Sequence, residues 1–375
     1  MKTLHTLSPE LSDFVALLNE ADQQGHGMLL VLGCDNNHWP IAQLNRSLAQ
    51  VKTPVFGGVF PALALDNKQH EHGAIVLGLE ELPTVARVTG MSDPNADYES
   101  QLLEQIDEWN NLSQEGTLMV LVDGLSSRIS SLVENLFFVF GLENNFVGGG
   151  AGSLSFEQKP CIISSHGIES DVAIVLKIPR QSTVSVTHGW SSISEAVEVT
   201  EADRNVIKTL NWQPAFEAYK AIVDDHSETP ITREAFFDTA KSYPLGLEKI
   251  DGEVVVRDPL MVQNDSELVC VGEVPQGAFV RILNGTPSSL LAAARQARHI
   301  INSGPRSDKG HLLLFDCISR ALFLGPDIEQ ELSALSQDDF AFGAFTLGEI
   351  ANSGTDYLEF LNKTTVLARL GEPQQ

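Results

Sequence analysis

Short unbroken apolar runs alternate with stretches whose apolar positions recur every three to four residues, the two signatures of buried strands and one-faced helices. Met28-Leu29-Leu30-Val31-Leu32 reads as a buried strand and stops at Gly33-Cys34-Asp35-Asn36-Asn37. Pro40 then opens a helix with Ile41, Leu44, Leu48 and Val51 on one face. Two strands are expected next, Val55 to Leu65 and Ala74 to Leu79, with Asp66-Asn67-Lys68-Gln69 as the turn.

The same order recurs twice. Leu118-Met119-Val120-Leu121-Val122 is followed by Asp123-Gly124 and a helical stripe of Ile129, Leu132, Val133, Leu136, Phe137 and Phe140. Val147-Gly148-Gly149-Gly150-Ala151-Gly152 leads from that helix into further strands, ending with Val172 to Leu176. A third copy runs from Leu312-Leu313-Leu314-Phe315 through Ile328, Leu332 and Leu335 to Phe342-Gly343-Ala344-Phe345 and Thr364 to Leu370. Each unit therefore reads strand, helix, glycine-containing strand, strand, at unequal separations.

Between the second and third copies the chain is rich in strands. Asp251-Gly252 is expected to turn Gly246–Lys249 back onto Val254-Val255-Val256, and Pro275-Gln276-Gly277 to join Leu268–Val274 to Phe279–Leu283. Helices are expected from Pro214, carrying Phe216, Tyr219 and Val223, and from Ser288-Ser289, carrying Leu290, Ala294, Ala297 and Ile301. The fold class that follows is mixed α/β: repeated strand-helix-strand-strand units in mixed sheets flanked by helices. Two domains are expected, residues 27–210 and 211–370.

Charge narrows the partners. Lys and Arg total 24 against 50 Asp and Glu, a formal charge of −26 on 375 residues. Such a surface repels phosphate backbones and anionic bilayers, so nucleic acid and membrane are not expected partners. The beginning of the chain has no apolar signal-peptide core, and no apolar run has the length of a membrane helix. Cys34, Cys161, Cys270 and Cys317 show no CxxC or zinc spacing, so reduced thiols in a cytoplasmic protein are expected.

The candidate chemistry is sparse. The glycine run Gly148-Gly149-Gly150-Ala151-Gly152 follows a helix and is followed by no Walker lysine, so close packing or a ligand-facing strand explains it better than a phosphate loop. Cys34 and Cys317 stand at strand ends where a cleft would open, yet nothing local supplies a base for a nucleophilic thiol. His188 shares a strand face with Val184 and Val186 and precedes Gly189. Two readings stay open for it: an axial ligand to haem iron, or a buried histidine bonded to a carbonyl. His166, in a loop, is the weaker rival.

Several segments together resemble the paired FIST N and FIST C sensory domains. They are Phe56-Gly57-Gly58-Val59-Phe60-Pro61, Val147 to Ser153, His188-Gly189-Trp190 and Phe345-Thr346-Leu347-Gly348-Glu349-Ile350. The likeness spans about residues 27 to 370. Within that family, Lys241-Ser242-Tyr243-Pro244 and Val256-Arg257-Asp258-Pro259 add a likeness to the stand-alone NosP-type sensors of nitric oxide. The resemblance implies haem b held by a histidine, His188 here, and regulation of a sensor histidine kinase in trans. Arg180 and Arg257 are then the candidate partners of the haem propionates, and Gly149 and Gly150 line the ligand site. Relatives often carry a Phe-His-Asn-type segment near the end, whereas this chain reads Glu359-Phe360-Leu361-Asn362-Lys363. With no transmitter, methyl-accepting or cyclase segment in the sequence, output through a partner is expected, and a homo-oligomer is a further expectation. The alternatives are a FIST sensor of a small metabolite such as an amino acid without haem, and, from a different class, an enzyme using Cys317 or Cys34.

Overall fold

A computed structural model describes residues 2–106, 116–141, 144–249, 254–304, 311–352 and 357–371. Three copies of one chain path build most of it. The first runs β1 (Lys2–Thr6), α1 (Leu11–Asp22), β2 (Met28–Cys34), α2 (Ile41–Leu48), β3 (Val55–Phe60), β4 (Ala62–Leu65), β5 (Lys68–His70) and β6 (Ala74–Leu79). The second repeats it as β7 (Thr84–Thr89), α3 (Tyr98–Ile106), β8 (Thr117–Asp123), α4 (Ile129–Phe140), β9 (Asn145–Ala151), β10 (Ile162–Ser164), β11 (Gly167–Glu169) and β12 (Val172–Ile178).

The third copy starts with β13 (Ser182–Thr187), and an insertion follows at once. It comprises β14 (Ser191–Ser192), β15 (Val197–Asp203), β16 (Val206–Leu210), β17 (Gln213–Pro214), α5 (Ala215–His226), α6 (Phe236–Ala240), β18 (Leu245–Glu248), β19 (Val254–Gln263), β20 (Glu267–Val271) and β21 (Phe279–Asn284). The repeat then resumes as α7 (Pro287–Ser303), β22 (Leu312–Cys317), α8 (Ile318–Leu324), α9 (Ile328–Ser336), β23 (Ala341–Thr346), β24 (Glu349–Ala351), β25 (Glu359–Leu361) and β26 (Thr365–Leu370).

The sheets make the repetition exact in topology. Their strand orders are β1-β6-β2-β3-β10-β11, β7-β12-β8-β9-β24-β25 and β13-β26-β22-β23-β4-β5. In each, the two central strands are parallel, joined by a helical crossover, and the hairpin at one end is lent by another repeat. The first repeat lends β4-β5 to the third sheet, the second lends β10-β11 to the first, and the third lends β24-β25 to the second. The exchange is cyclic, so chain before and after residue 211 is hydrogen-bonded within shared sheets. The insertion closes on itself: β21-β15-β16-β20-β19-β18 pair in turn and β18 returns to β21, a six-stranded antiparallel barrel. Helix α5 packs on β16, β20 and β21.

The glycine in the middle of each second strand has a steric cause. In parallel register Gly57 faces Val31, Gly148 faces Val120 and Gly343 faces Leu314. A Cβ on these glycines would lie 1.9, 1.8 and 1.8 Å from the facing carbonyl oxygens. Only a residue without Cβ permits that approach.

Several expected details change. Pro61 divides the segment from Val55 to Leu65 into β3 and β4, which belong to different sheets. Lys68 and Gln69 are in β5, and the turn is Asp66-Asn67, both at positive φ as a two-residue hairpin requires. Ser153 to Phe156 form no strand. The segment Pro275-Gln276-Gly277 joins strands that do not pair with each other, because β20 lies between β16 and β19 while β21 lies between β15 and β18. Thr286, not Ser288, caps α7, through a capping box with Ser289. The Asp251-Gly252 turn lies outside the described residues, although β18 and β19 pair antiparallel on either side of it.

Candidate functional site

The carboxyl ends of the parallel strands β8 and β22 meet the barrel, and a cavity of about 220 Å³ lies at the junction. Ligands of open α/β sheets are held in the crevice outside the carboxyl ends of the strands. Here the wall comes from Gly124 to Ser130 after β8, from Cys317 to Ser319 after β22, and from barrel strands β19 and β20. Phe237 and Phe360 add apolar surface, and half-exposed Phe156 stands at the rim.

Its polar side is a buried cluster. The Lys363 ammonium lies 3.2 Å from Asp258 Oδ1 and donates to Ser319 Oγ (2.8 Å) and to the Lys241 carbonyl (2.9 Å). Ser319 in turn donates to Asp258 Oδ2. The lysine sits 5.3 Å from the Trp190 ring centroid, and Trp190 Nε1 donates to the Lys363 carbonyl. Burial raises the Asp258 carboxyl, and the facing ammonium opposes that shift. Because Lys363 donates to Ser319, it is no base for that hydroxyl as placed, and the arrangement suits binding better than nucleophilic attack. Asn362, 1% exposed on the cavity wall, donates through Nδ2 to the Leu361 carbonyl, while its Oδ1 has no partner.

Behind the cluster Arg320 pairs with Asp316 (3.3 Å) and Glu331, joining β22, α8 and α9 in the core. Burial drives the Asp316 and Glu349 carboxyls well above the ordinary range. The Cys317 thiol lines the cavity, but burial raises it far above its ordinary value. Cys34 and Cys270 are pushed up to about 12 by the same cause. Burial therefore holds these sulfurs in the thiol form, which is less nucleophilic than the thiolate.

The structure does not bring the expected haem residues together. His188 Nδ1 accepts the Trp190 backbone N–H (3.0 Å), because Gly189 at positive φ folds the ring back onto its own chain. The neutral ring therefore carries its proton on Nε2, leaving neither nitrogen free to bind iron. Arg180 is tied to Glu81 (2.8 Å) and the Gly371 carbonyl. Arg257 donates through Nε to the Glu273 carbonyl and through Nη1 to those of Val256 and Phe360, and borders a neighbouring cavity of about 560 Å³ that shares Ser130, Glu273 and Phe360 with the first. Gly149 and Gly150 pack against the backbone of Gly348 and Leu347, where a Cβ would come within 2.7 and 2.5 Å. The residues in these places do not fit a haem. His188 borders neither cavity, and His166 is exposed. No group of three or more His, Cys, Asp or Glu among the described residues is arranged to hold a metal ion.

His188 carries a pH signature instead. Burial, with the Arg320 guanidinium adding to it, lowers the imidazole from 6.5 to about 4. Between those values the unfolded chain binds the extra proton, so this group's effect is to reduce stability as pH falls through the window. The full effect is about 3 kcal/mol. Urea titrations from neutral pH to pH ~4 will show His188→Gln losing less stability than the unsubstituted protein by about that amount. Parallel losses in the two would show that the ring is not buried neutral.

Residues 27–213 match the FIST N domain and residues 215–352 the FIST C domain. The chain belongs to the FIST family, whose domains are sensory domains of signal transduction that bind small ligands. The fold is accordingly the mixed α/β, two-domain arrangement of that family. No curated protein matches the chain. Among the described residues no helix is long and apolar enough to cross a membrane.

Asp258 lies in Val256 to Pro259, a segment that carries the resemblance, and Asn362 and Lys363 lie in Glu359 to Lys363, where the chain departs from the family's Phe-His-Asn-type pattern. A signal for them was present: each is a polar residue interrupting an apolar strand pattern. Ser319 had none.

Proposed function

We propose that this protein is a sensory binding module that takes up a small organic metabolite in the cavity between the barrel and the ends of β8 and β22. The observation that carries the reading is the buried Asp258–Ser319–Lys363 cluster with the unpaired Asn362 Oδ1 on that cavity's wall. A buried acceptor without a partner is costly, and a ligand donor would remove the cost. The cavity is lined by the second repeat, the third repeat and the barrel together, so an occupant touches all three and biases their relative placement. For the output, the resemblance implies a sensor histidine kinase as partner.

Haem b binding and nitric oxide sensing stand as the competing reading, and the ring of His188 speaks against them. Titration of the protein with haemin will give no stoichiometric complex with a histidine-ligated Soret band. A stoichiometric complex that His188→Ala abolishes, in a variant that stays folded, would overturn the metabolite reading.

A further inference from the structure

The lining of this cavity has a one-sided electrostatic character. Asp258 and Glu273 are on its wall, and no Lys, Arg or His is among its described lining residues. The nearest cation, Lys363, donates to Ser319 Oγ and the Lys241 carbonyl and faces the Asp258 carboxylate at 3.2 Å, so its charge is already matched within the protein. Arg257, the next, gives its Nε and Nη1 protons to backbone carbonyls and lines the neighbouring cavity rather than this one. Asp258 and Lys363 balance each other, and Glu273 is the other acidic group the lining presents, with the guanidinium groups of Arg204, Arg257 and Arg128 acting on it from outside that lining.

The neutral polar groups agree. Asn362 Nδ2 donates one proton to the Leu361 carbonyl, which fixes the amide's orientation and leaves Oδ1 as an acceptor in want of a donor. A carboxylate brought to this wall would face Asn362 Oδ1, Asp258 and Glu273 with no cationic side chain among the described lining residues to receive it. An ammonium would satisfy Oδ1, pair with Glu273 and lie near the faces of Phe156, Phe237 and Phe360, the surroundings in which a cation gains from aromatic rings. The overall charge of −26 raises the local concentration of cations around the molecule.

We infer that the ligand of this cavity is a small organic amine, cationic at neutral pH, with an apolar body. The inference rests on the reading of the cavity as the sensory site. The ammonium belongs between Glu273 and Asn362, and the apolar body lies along Leu260, Leu322 and the phenylalanine rings.

Three probes that share a phenyl ring separate the charge types: phenethylamine, phenylalanine and 3-phenylpropionate. Calorimetric titration of the full chain at neutral pH is expected to show binding of phenethylamine alone. Glu273→Gln should weaken it by about tenfold or more, the loss of one charge-assisted contact. Leu322→Trp, which fills the cavity from an exposed helix face, should abolish it. Equal or tighter binding of phenylalanine or phenylpropionate, lost in Leu322→Trp, would overturn the charge inference and leave the cavity as the sensory site. Phenethylamine binding unchanged in both variants would overturn both readings. Absence of phenethylamine binding at millimolar concentration would overturn the inference as well.

Discussion

Replacing Lys363 by methionine will cost about 3–5 kcal/mol of folding stability, the loss seen when one partner of a buried ion pair is removed. Methionine keeps the length and apolar stem of the side chain, so packing against Trp190 is largely retained. What is lost is the charge facing Asp258, which is 1% exposed and has no other cation within ion-pair distance among the described residues. Ser319 and the Lys241 carbonyl lose a donor at the same time. Asp258 must then take up a proton to stay buried, which folding has to supply. Urea unfolding measures the loss directly, and adding Asp258→Asn to Lys363→Met should recover part of it, because the stranded carboxylate is gone. A single-variant loss below about 1 kcal/mol would place the pair in the class of exposed bridges, contrary to its burial.

The second large effect concerns backbone approach. Alanine at Gly148 will cost more than about 4 kcal/mol or prevent folding, because its Cβ would lie 1.8 Å from the Val120 carbonyl oxygen in the centre of a sheet. Neither strand can retreat: β8 is held on its other side by β12 and β9 by β24. Gly277→Ala is the control. It also has positive φ, but nothing lies within 4 Å of the added carbon, so only the backbone cost of about 1–2 kcal/mol applies. Soluble yield and urea midpoints of the two variants distinguish a steric cause from general glycine flexibility. Equal effects would remove the steric account of the repeated glycine.

These two positions also mark where the sequence is readable. The threefold recurrence is visible because each copy pairs an apolar strand, a helical stripe and a glycine strand, all local signals. Gly148 belongs to that pattern. The cyclic exchange of hairpins is not visible, since β4, β10 and β24 owe their places to strands far away in the chain. The edge strands β1 and β7 are short and partly exposed, with little pattern to identify them. The barrel was legible only as a region rich in strands, because closure depends on β18 meeting β21 across an intervening pair.

The site was less legible than the fold for the same reason. Lys363 and Asp258 are 105 positions apart in the chain, and only the assembled barrel and third repeat make them partners. His188 failed differently. Its strand-face alternation with Val184 and Val186 was read from spacing, but β13 ends at Thr187, and the turn at Gly189 redirects the ring to the Trp190 N–H. Arg180 and Arg257 looked free as sequence, although the folded chain engages Arg180 with Glu81 and the Gly371 carbonyl and Arg257 with three backbone carbonyls.

The central claim is that the cavity at the barrel junction holds a small organic metabolite. Equilibrium dialysis of the protein against a cellular metabolite extract, read by mass spectrometry of the retained small molecules, tests it most directly. At least one small organic compound is expected to be enriched on the unsubstituted protein and not on folded Leu322→Trp. The same enrichment on both proteins, or enrichment on neither, would contradict it.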